Sequence, residues 1–162
     1  MKSEKSENFS IRPATTEDLA AVMNIEQEVQ VAPWPESHFQ SELTKPYSHF
    51  LVLTDDETDS IVAGYLVSWV MFDECQILNV ATALSYRGLG FAKQMIHQVV
   101  SIALKKEIKK VVLEVRKSNS AAIQLYQQLN FNITHVRKRF YSDGEDAYQM
   151  VLSLESENLP VI

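Results

Sequence analysis

Arg87-Gly88-Leu89-Gly90-Phe91-Ala92 is the stretch that decides the fold of this chain, because of what lies on either side of it. An apolar run typical of a strand, 76–81, precedes it, and apolar residues at helical spacing follow it, at 92, 95, 96, 99, 100 and 103. Gly88 and Gly90 allow a sharp turn and a close approach to a ligand. The first N–H groups of the helix have no intrahelical partner and suit a phosphate or pyrophosphate. Because such junctions also occur in folds that bind nothing there, the pattern alone leaves the function open.

The segments around this junction predict an α/β fold. Strands are predicted over 9–12, 49–54, 61–72, 75–82, 111–115, 131–141 and 147–154. Helices are predicted from a cap at Thr16 through 29, from Pro35 through Leu43, from the glycine loop to about Lys106, and after a cap at Ser118 or Asn119.

The order β-α-α-β-β-β-α-β-α-β-β mixes hairpins with two strand–helix–strand crossovers. We therefore expect a single α/β domain over residues 9–154, with a mixed antiparallel and parallel sheet flanked by helices. A flexible N-terminal tail is expected over 1–8 and a C-terminal tail over 155–162. A ligand site is expected where the parallel and antiparallel parts of the sheet meet, at the C-terminal end of the central strand.

The composition limits the classes of function. A net charge of −6 over 162 residues argues against a general nucleic-acid binder, which needs a basic face. No apolar run approaches the ~20 residues of a membrane helix. The single Cys75 excludes an internal disulfide and is predicted to be a small buried hydrophobe. The four histidines show no ligand spacing, so we expect no metal, and we expect the protein in the cytoplasm.

Two later segments carry polar side chains at positions suited to chemistry. Glu114 lies near the end of the strand after the glycine-loop helix, Asn119 starts the next helix, and Tyr126 lies two turns along it. Each also has a structural explanation: the carboxylate could pair with Arg116 or Lys110, the amide could cap the helix, and the phenol could pack in the core. The residues alone leave both explanations open.

Taken together, these segments resemble the GCN5-related N-acetyltransferase (GNAT) superfamily. Its pyrophosphate motif, (Arg or Gln)-x-x-Gly-x-(Gly or Ala), is matched by Arg87, Gly90 and Ala92. Within the superfamily, the chain is most similar to the RimI-type acetyltransferases of ribosomal-protein N-terminal alanine. That narrower resemblance spans roughly 9–154 and rests on Ala32-Pro33-Trp34, Asn79-Val80-Ala81, Leu113-Glu114-Val115-Arg116, Ser118-Asn119, Ala121-Ala122-Ile123, Leu125-Tyr126 and Asp143-Gly144-Glu145-Asp146-Ala147.

The resemblance implies acetyl-CoA as co-substrate, in a gap between the strands that end near Ala81 and Val115. It assigns Glu114 as general base and Tyr126 as general acid. Trp34 and Tyr141 are implied as walls of the acceptor pocket. No motif specifies the acceptor that this pocket binds. The implied cofactor-binding residues are Val80, Ala81 and Thr82 for the acetyl and pantetheine arm, Arg87, Gly88, Leu89, Gly90, Phe91, Ala92 and Lys93 for the pyrophosphate, and Asn119.

The chain departs from the family pattern at three places. Asn130 replaces a common glycine, although asparagine also tolerates the left-handed conformation that ends a helix. Thr82 and Leu84 replace a frequent valine and proline before the glycine loop. None of these changes removes an implied catalytic group.

The predicted function is direct acetyl transfer to the α-amine of a basic protein or peptide N-terminus, with the N-terminal alanine of a small-subunit ribosomal protein as acceptor. No nucleic acid or membrane partner is expected, and we expect a monomer or weak dimer. One alternative is a small-amine acetyltransferase of the same fold, acting on a polyamine, an amino acid or a drug. Another is a non-catalytic acyl-CoA or ribosome-associated binding module. The presence of both a carboxylate and a phenol at the matching positions counts against the binding module.

Overall fold

The predicted succession of strands and helices is present in the computed structural model, which describes residues 8–155. The strands are β1 (Phe9–Pro13), β2 (Ser48–Asp55), β3 (Val62–Met71), β4 (Glu74–Thr82), β5 (Lys110–Arg116), β6 (Asn132–Arg137) and β7 (Ala147–Ser153). The helices are α1 (Leu19–Val29), α2 (Glu36–Glu42), α3 (Phe91–Lys105) and α4 (Ser120–Gln128). None of the helices in the described part of the chain is both long and apolar enough to span a bilayer. The predicted tails lie outside the described residues except for Asn8 and Glu155, so the limits 9–154 stay a prediction.

The strands form a mixed sheet in the order β1-β2-β3-β4-β5-β7-β6, which confirms the predicted fold class. β4 and β5 are parallel, whereas β7 pairs antiparallel with both β5 and β6. The closing hairpin was predicted, but the position of β7 between β5 and β6 was not. Ala147, Met150 and Leu152 of β7 are buried, whereas every residue of β6 is exposed. An interior position therefore suits β7, and the sheet edge suits β6.

One compact unit comprises the described residues up to Trp69 together with Asn79–Val99. Its core contains an aromatic cluster: the ring of Phe39 on α2 lies 5.6 Å from that of Phe50 and 5.5 Å from that of Tyr65. A Cβ on Gly64 would lie 2.9 Å from both the Ala81 carbonyl oxygen and the Met95 Cε atom. Glycine at this point of β3 therefore permits close approach of the β4 backbone and of α3.

The start of α1 differs from the prediction. A short 3₁₀ turn, Thr16–Asp18, precedes the helix, and Thr15 rather than Thr16 is its N-cap. The Thr15 N–H donates to the Asp18 carboxylate at 2.7 Å, and Arg12 holds the same carboxylate at 2.8 Å. The contact with β1 holds Asp18 directly before α1. The N-cap therefore lies one residue earlier than predicted.

The second compact unit comprises Val70–Leu78 with the described residues from Val100 on. Cys75 and Ile77 of β4 lie opposite Val111 and Leu113 of β5, and all four are buried. The prediction that Cys75 is a buried hydrophobe is thereby confirmed. Asn130 follows α4 with a φ of 69°, the left-handed conformation expected there.

Candidate active site

The glycine loop before α3 has the backbone conformation that its sequence predicts. Gly88 and Gly90 have φ values of 78° and 80°, in the left-handed region that favours glycine. A Cβ on either residue would meet no atom of residues 8–155 within 4 Å, so these residues leave the space above both glycines open. The first hydrogen bond of the helix runs from the Gln94 N–H to the Gly90 carbonyl, at 3.0 Å. The amides of 91–93 come before it and therefore lack intrahelical acceptors. The loop thus places amides that lack intrahelical acceptors beside open space, which suits an anion.

The end of β4 carries a buried polar atom without a partner. Thr82 Oγ1 is buried and makes no hydrogen bond to any described residue. The next residue, Ala83, is held by its N–H to the Ala63 carbonyl at 2.8 Å, which fixes this end of the strand. An unpaired buried hydroxyl has a free-energy cost that a bound polar group could relieve. This observation fits a ligand along 80–82.

A buried carboxylate that the sequence analysis did not single out lies in the same unit. Glu26 on α1 is 1% exposed. Its oxygens accept hydrogen bonds from the Trp34 N–H at 2.9 Å, from Asn79 Nδ2 at 3.1 Å and from the Tyr65 hydroxyl. Burial and the neighbouring carboxylate raise the pKa of Tyr65 well above its ordinary value, which keeps the phenol a donor. Gln30 also donates to Asn79 Oδ1 at 3.0 Å.

Trp34 lies in the segment between α1 and α2. Its indole packs against the rings of Phe39 and His38, with centroids 5.2 Å and 5.8 Å apart. The side chain is half-buried, and its backbone N–H is held by Glu26. Trp34 is therefore anchored on one face and still partly accessible, as a pocket wall requires.

In the second unit, Glu114 is held by a residue that the sequence analysis missed. Arg137 on β6 donates to Glu114 Oε1 at 2.8 Å, and the side chain of Glu114 is 8% exposed. The expected structural alternative, a pair with Arg116 or Lys110, is wrong. Arg116 pairs with Asp143 and Glu145, at 2.8 Å and 3.0 Å, and Lys110 pairs with Glu74 at 3.5 Å.

Tyr126 and Tyr141 lie within electrostatic range of each other. Burial, with a smaller effect of Tyr141, raises the pKa of Tyr126 above its ordinary value of 10. Burial also raises the pKa of Tyr141, against the opposing effect of the Arg116 guanidinium 4.0 Å from the ring centre. The charge of Glu114 contributes to the same upward shift at Tyr141. Both phenols are therefore protonated at neutral pH.

Asn119 is the N-cap of α4, as one prediction stated. Its Oδ1 accepts a hydrogen bond from the Ala122 N–H at 3.2 Å. The turn before it is held by Glu145, which accepts from the Ser118 N–H at 2.9 Å. The cap uses only the oxygen of the Asn119 amide, so the predicted contact between this side chain and a cofactor stays a prediction that the geometry allows.

The predicted site residues divide between the two compact units. The first contains Trp34, 80–82 and 87–93, and the second contains Glu114, Asn119, Tyr126 and Tyr141. Among residues 8–155, no group of three or more His, Cys, Asp or Glu side chains could hold a metal ion.

Glu26 and Arg137 were both missed, for different reasons. Glu26 could have been found, since it lies four residues after Val22 and three before Val29, on the apolar face of a predicted helix. Arg137 gave no comparable signal, because its contact with Glu114 depends on the order of the last strands.

Comparisons with known proteins agree with this fold and these motifs. The model of the acetyltransferase (GNAT) family matches residues 19–131. A Bacillus subtilis (strain 168) protein, provisionally named a [ribosomal protein bS18]-alanine N-acetyltransferase, is 34% identical over 147 residues, which are 90% of this chain and 95% of that one. The [ribosomal protein bS18]-alanine N-acetyltransferase of Escherichia coli (strain K12) is 32% identical over 90% of this chain and 97% of its own.

Solved structures show the same fold. The crystal structure of the ribosomal-protein-S18-alanine N-acetyltransferase from Escherichia coli superposes with a TM-score of 0.81, at 32% identity, over 94% of this chain and 99% of the other. Arabidopsis thaliana NAA60 in complex with acetyl-CoA has a TM-score of 0.81 over 90% of this chain and 98% of the other. Its 20% identity supports a likeness of fold alone.

Proposed function

The chain belongs to the acetyltransferase (GNAT) family and is an acyltransferase, and we propose that it acetylates the α-amino group of a protein N-terminus. Acetyl-CoA is the donor, and the N-terminal alanine of a ribosomal protein is the acceptor. The observation that carries this proposal is the set of Glu114, Tyr141 and Tyr126: a shielded carboxylate and a buried protonated phenol, both in electrostatic range of one half-buried tyrosine. Relatives of that activity match nine-tenths of the chain, which supports the choice of acceptor.

The residues perform the transfer as a base and an acid. The amine nitrogen attacks the thioester carbonyl, so that a C–N bond forms and the C–S bond then breaks. Glu114 receives the proton of the amine, directly or through a water, and Tyr126 supplies one to the departing thiolate. Glu114 then loses this proton to solvent and Tyr126 takes one up, so both residues are restored. The products are an acetylated N-terminus and a free thiol, with no acetyl group held by the protein in between.

The acceptor class follows from the proton chemistry. An α-amine has a pKa of ~7.7–8.0 and a lysine side chain ~10.4, so at neutral pH far more of the α-amine is already neutral. Arg137 engages one oxygen of Glu114, and the α-amine is the acceptor that demands less of a general base. A lysine acceptor would need a base that overcomes a further ~2.5 pKa units.

The donor is assigned to the glycine loop and the end of β4. The pyrophosphate would lie over Gly88 and Gly90, where the space is open and the amides of 91–93 begin the helix. The acetyl and pantetheine arm would run along 80–82, where Thr82 Oγ1 has no protein partner among the described residues. A backbone N–H of this segment would stabilise the oxyanion of the tetrahedral intermediate.

The experiment compares three acceptors under one set of conditions. An alanine-initiated basic peptide, the same peptide blocked at its N-terminus, and spermidine are each incubated with the protein and acetyl-CoA, and the products are identified by mass. We expect acetylation of the free peptide alone. Equal or faster reaction of the blocked peptide or of spermidine would refute the proposal in favour of a lysine or small-amine acetyltransferase. No product from any acceptor, with acetyl-CoA bound, would favour a binding module.

A further inference from the structure

We propose that Glu26 is a positioning residue that sets acceptor specificity, because its buried carboxylate fixes the Trp34 segment relative to the end of β4. This inference rests on the proposed function and on the role that the family resemblance implies for Trp34, a wall of the acceptor pocket. It adds a residue that no motif identified and that does not touch the reacting atoms. The assignment follows from the contacts of Glu26, from its burial and from the absence of a cationic partner within residues 8–155.

The contacts join three separate parts of the chain. Trp34, Tyr65 and Asn79 all donate to the same carboxylate, from the segment before α2, from β3 and from β4. Asn79 immediately precedes the segment 80–82 assigned to the acetyl group. One side chain therefore fixes the acceptor-side backbone and the donor-side strand together.

The burial of Glu26 indicates that core packing alone does not explain a carboxylate at this position. Glu26 is 1% exposed, and none of the ion pairs among the described residues includes it. Burial of a carboxylate is costly unless hydrogen bonds compensate for lost water, and an apolar side chain of similar size would avoid that cost. The polar contacts are better explained by the placement of Trp34 and Asn79 than by stability.

The two segments depend on the carboxylate to different degrees. Asn79 lies within strand β4, so strand pairing holds its backbone independently of its side chain. Trp34 lies outside any helix or strand, and its backbone N–H is bound by Glu26. Loss of the carboxylate should therefore loosen Trp34 first and affect the acceptor more than acetyl-CoA.

A second buried glutamate provides a matched control. Glu42 on α2 is 5% exposed and accepts from Trp69 Nε1 at 2.7 Å, much as Glu26 accepts from Tyr65. It also accepts from Ser48 at 2.7 Å and from Lys45 at 2.6 Å, but it makes no hydrogen bond to Trp34 or β4. Glu42→Gln therefore tests the general cost of altering a buried carboxylate in the same unit.

The kinetic experiment uses Glu26→Gln beside Glu42→Gln. We expect Glu26→Gln to raise KM for the alanine-initiated peptide at least about tenfold, as expected for loss of a hydrogen bond to a charged group. The preference for alanine over leucine at the first position should fall, while KM for acetyl-CoA stays unchanged. Glu42→Gln should leave the peptide KM and the preference unchanged. Equal effects of both variants, or an unchanged preference in Glu26→Gln, would overturn the inference.

Two further measurements keep the test decisive. If Glu26→Gln does not fold, Tyr65→Phe removes one donor to the carboxylate and keeps the ring, and it should raise the peptide KM in the same direction. If the wild-type protein acetylates no peptide, the proposed function is refuted, but the positioning role can still be tested by measuring the accessibility of Trp34. In a Trp69→Phe background Trp34 is the sole tryptophan, and Glu26→Gln should increase its quenching by acrylamide, whereas Glu42→Gln should not. Unchanged quenching would refute the positioning role.

Discussion

Arg137 on the edge strand β6 reaches past β7 to donate a hydrogen bond of 2.8 Å to Glu114 on β5. The guanidinium is half-exposed and lies 5.0 Å from the ring centre of Phe140, whereas the carboxylate is largely shielded. The contact engages Oε1 and leaves Oε2 without a hydrogen bond to any described residue. The proposed base is therefore fixed through one oxygen and can receive a proton on the other.

Glu114→Gln tests the proposed base. We expect turnover to fall by ~10²–10⁴, the range for general base catalysis, because the amide cannot take a proton from the amine. Acetyl-CoA affinity should change little, since the substitution preserves shape and the contact with Arg137 through an oxygen. Steady-state kinetics and calorimetry measure the two effects. Glu74→Gln, which alters a half-exposed carboxylate paired with Lys110, is the control and should behave as wild type. Wild-type turnover of Glu114→Gln would exclude this residue as the base.

Gly90→Val tests the glycine loop. The side chain would enter the open space assigned to the pyrophosphate, so acetyl-CoA binding should weaken more than tenfold, over ~1.4 kcal/mol. A left-handed φ also disfavours any side chain by roughly 1–2 kcal/mol, and this cost needs its own control. Gly144→Val supplies it, because Gly144 has a φ of 86° and is equally open, but lies in the β6–β7 turn. Comparable weakening by both variants in calorimetry would show that strain, and not the ligand, explains the loss.

The fold was predictable because its elements are specified locally. The glycine loop and the cap at Asn119 each depend on a few consecutive residues, and the apolar pattern of α3 repeats every three or four residues. Even Asn130 was predictable, since the left-handed end of a helix restricts the residue types that fit. The position of β7 beside β5 was not predictable. The turn of a hairpin does not specify which of its two strands pairs with the rest of the sheet.

The site was predictable only where a motif is contiguous. Gly88, Gly90, Glu114 and Tyr126 were predicted as site residues from short patterns, but the residues that contact them come from distant segments. Arg137 is 23 residues from Glu114, and its contact requires the strand order that sequence reasoning missed. The Glu26 cluster joins residues up to 53 positions apart, so only the folded chain shows which polar groups share one carboxylate.

Asp55 should contribute stability that is lost in acid. The Thr58 hydroxyl at 2.6 Å and then the Ile61 N–H at 2.8 Å are the main causes that lower the pKa of Asp55 from 3.8 to about 2. A depressed pKa stabilises the folded state above the unfolded value, and the contribution disappears as pH falls from about 4 to about 2. Thermal melts should therefore show Asp55→Asn well below wild type at neutral pH, with the gap closing in acid. Asp56→Asn, at an exposed neighbour, should show no gap. A gap that does not change with pH would contradict the titration of Asp55.

Because Tyr126 stays protonated, the rate should not fall on the alkaline side of the pH profile. Burial raises its pKa above 10, and a proton donor is active only while protonated, so kcat/KM should not decline before about pH 10. The rate should rise with pH until the α-amine is neutral, near its pKa of ~8, and then level off. Tyr126→Phe should lower the rate at least about a hundredfold, a typical loss for general acid catalysis, without altering the rising limb. Tyr148→Phe on β7 is the matched control, and samples preincubated at each pH correct for inactivation. A decline centred near pH 9 that is absent from Tyr126→Phe would show that the phenol titrates in the working range, against the effect of burial.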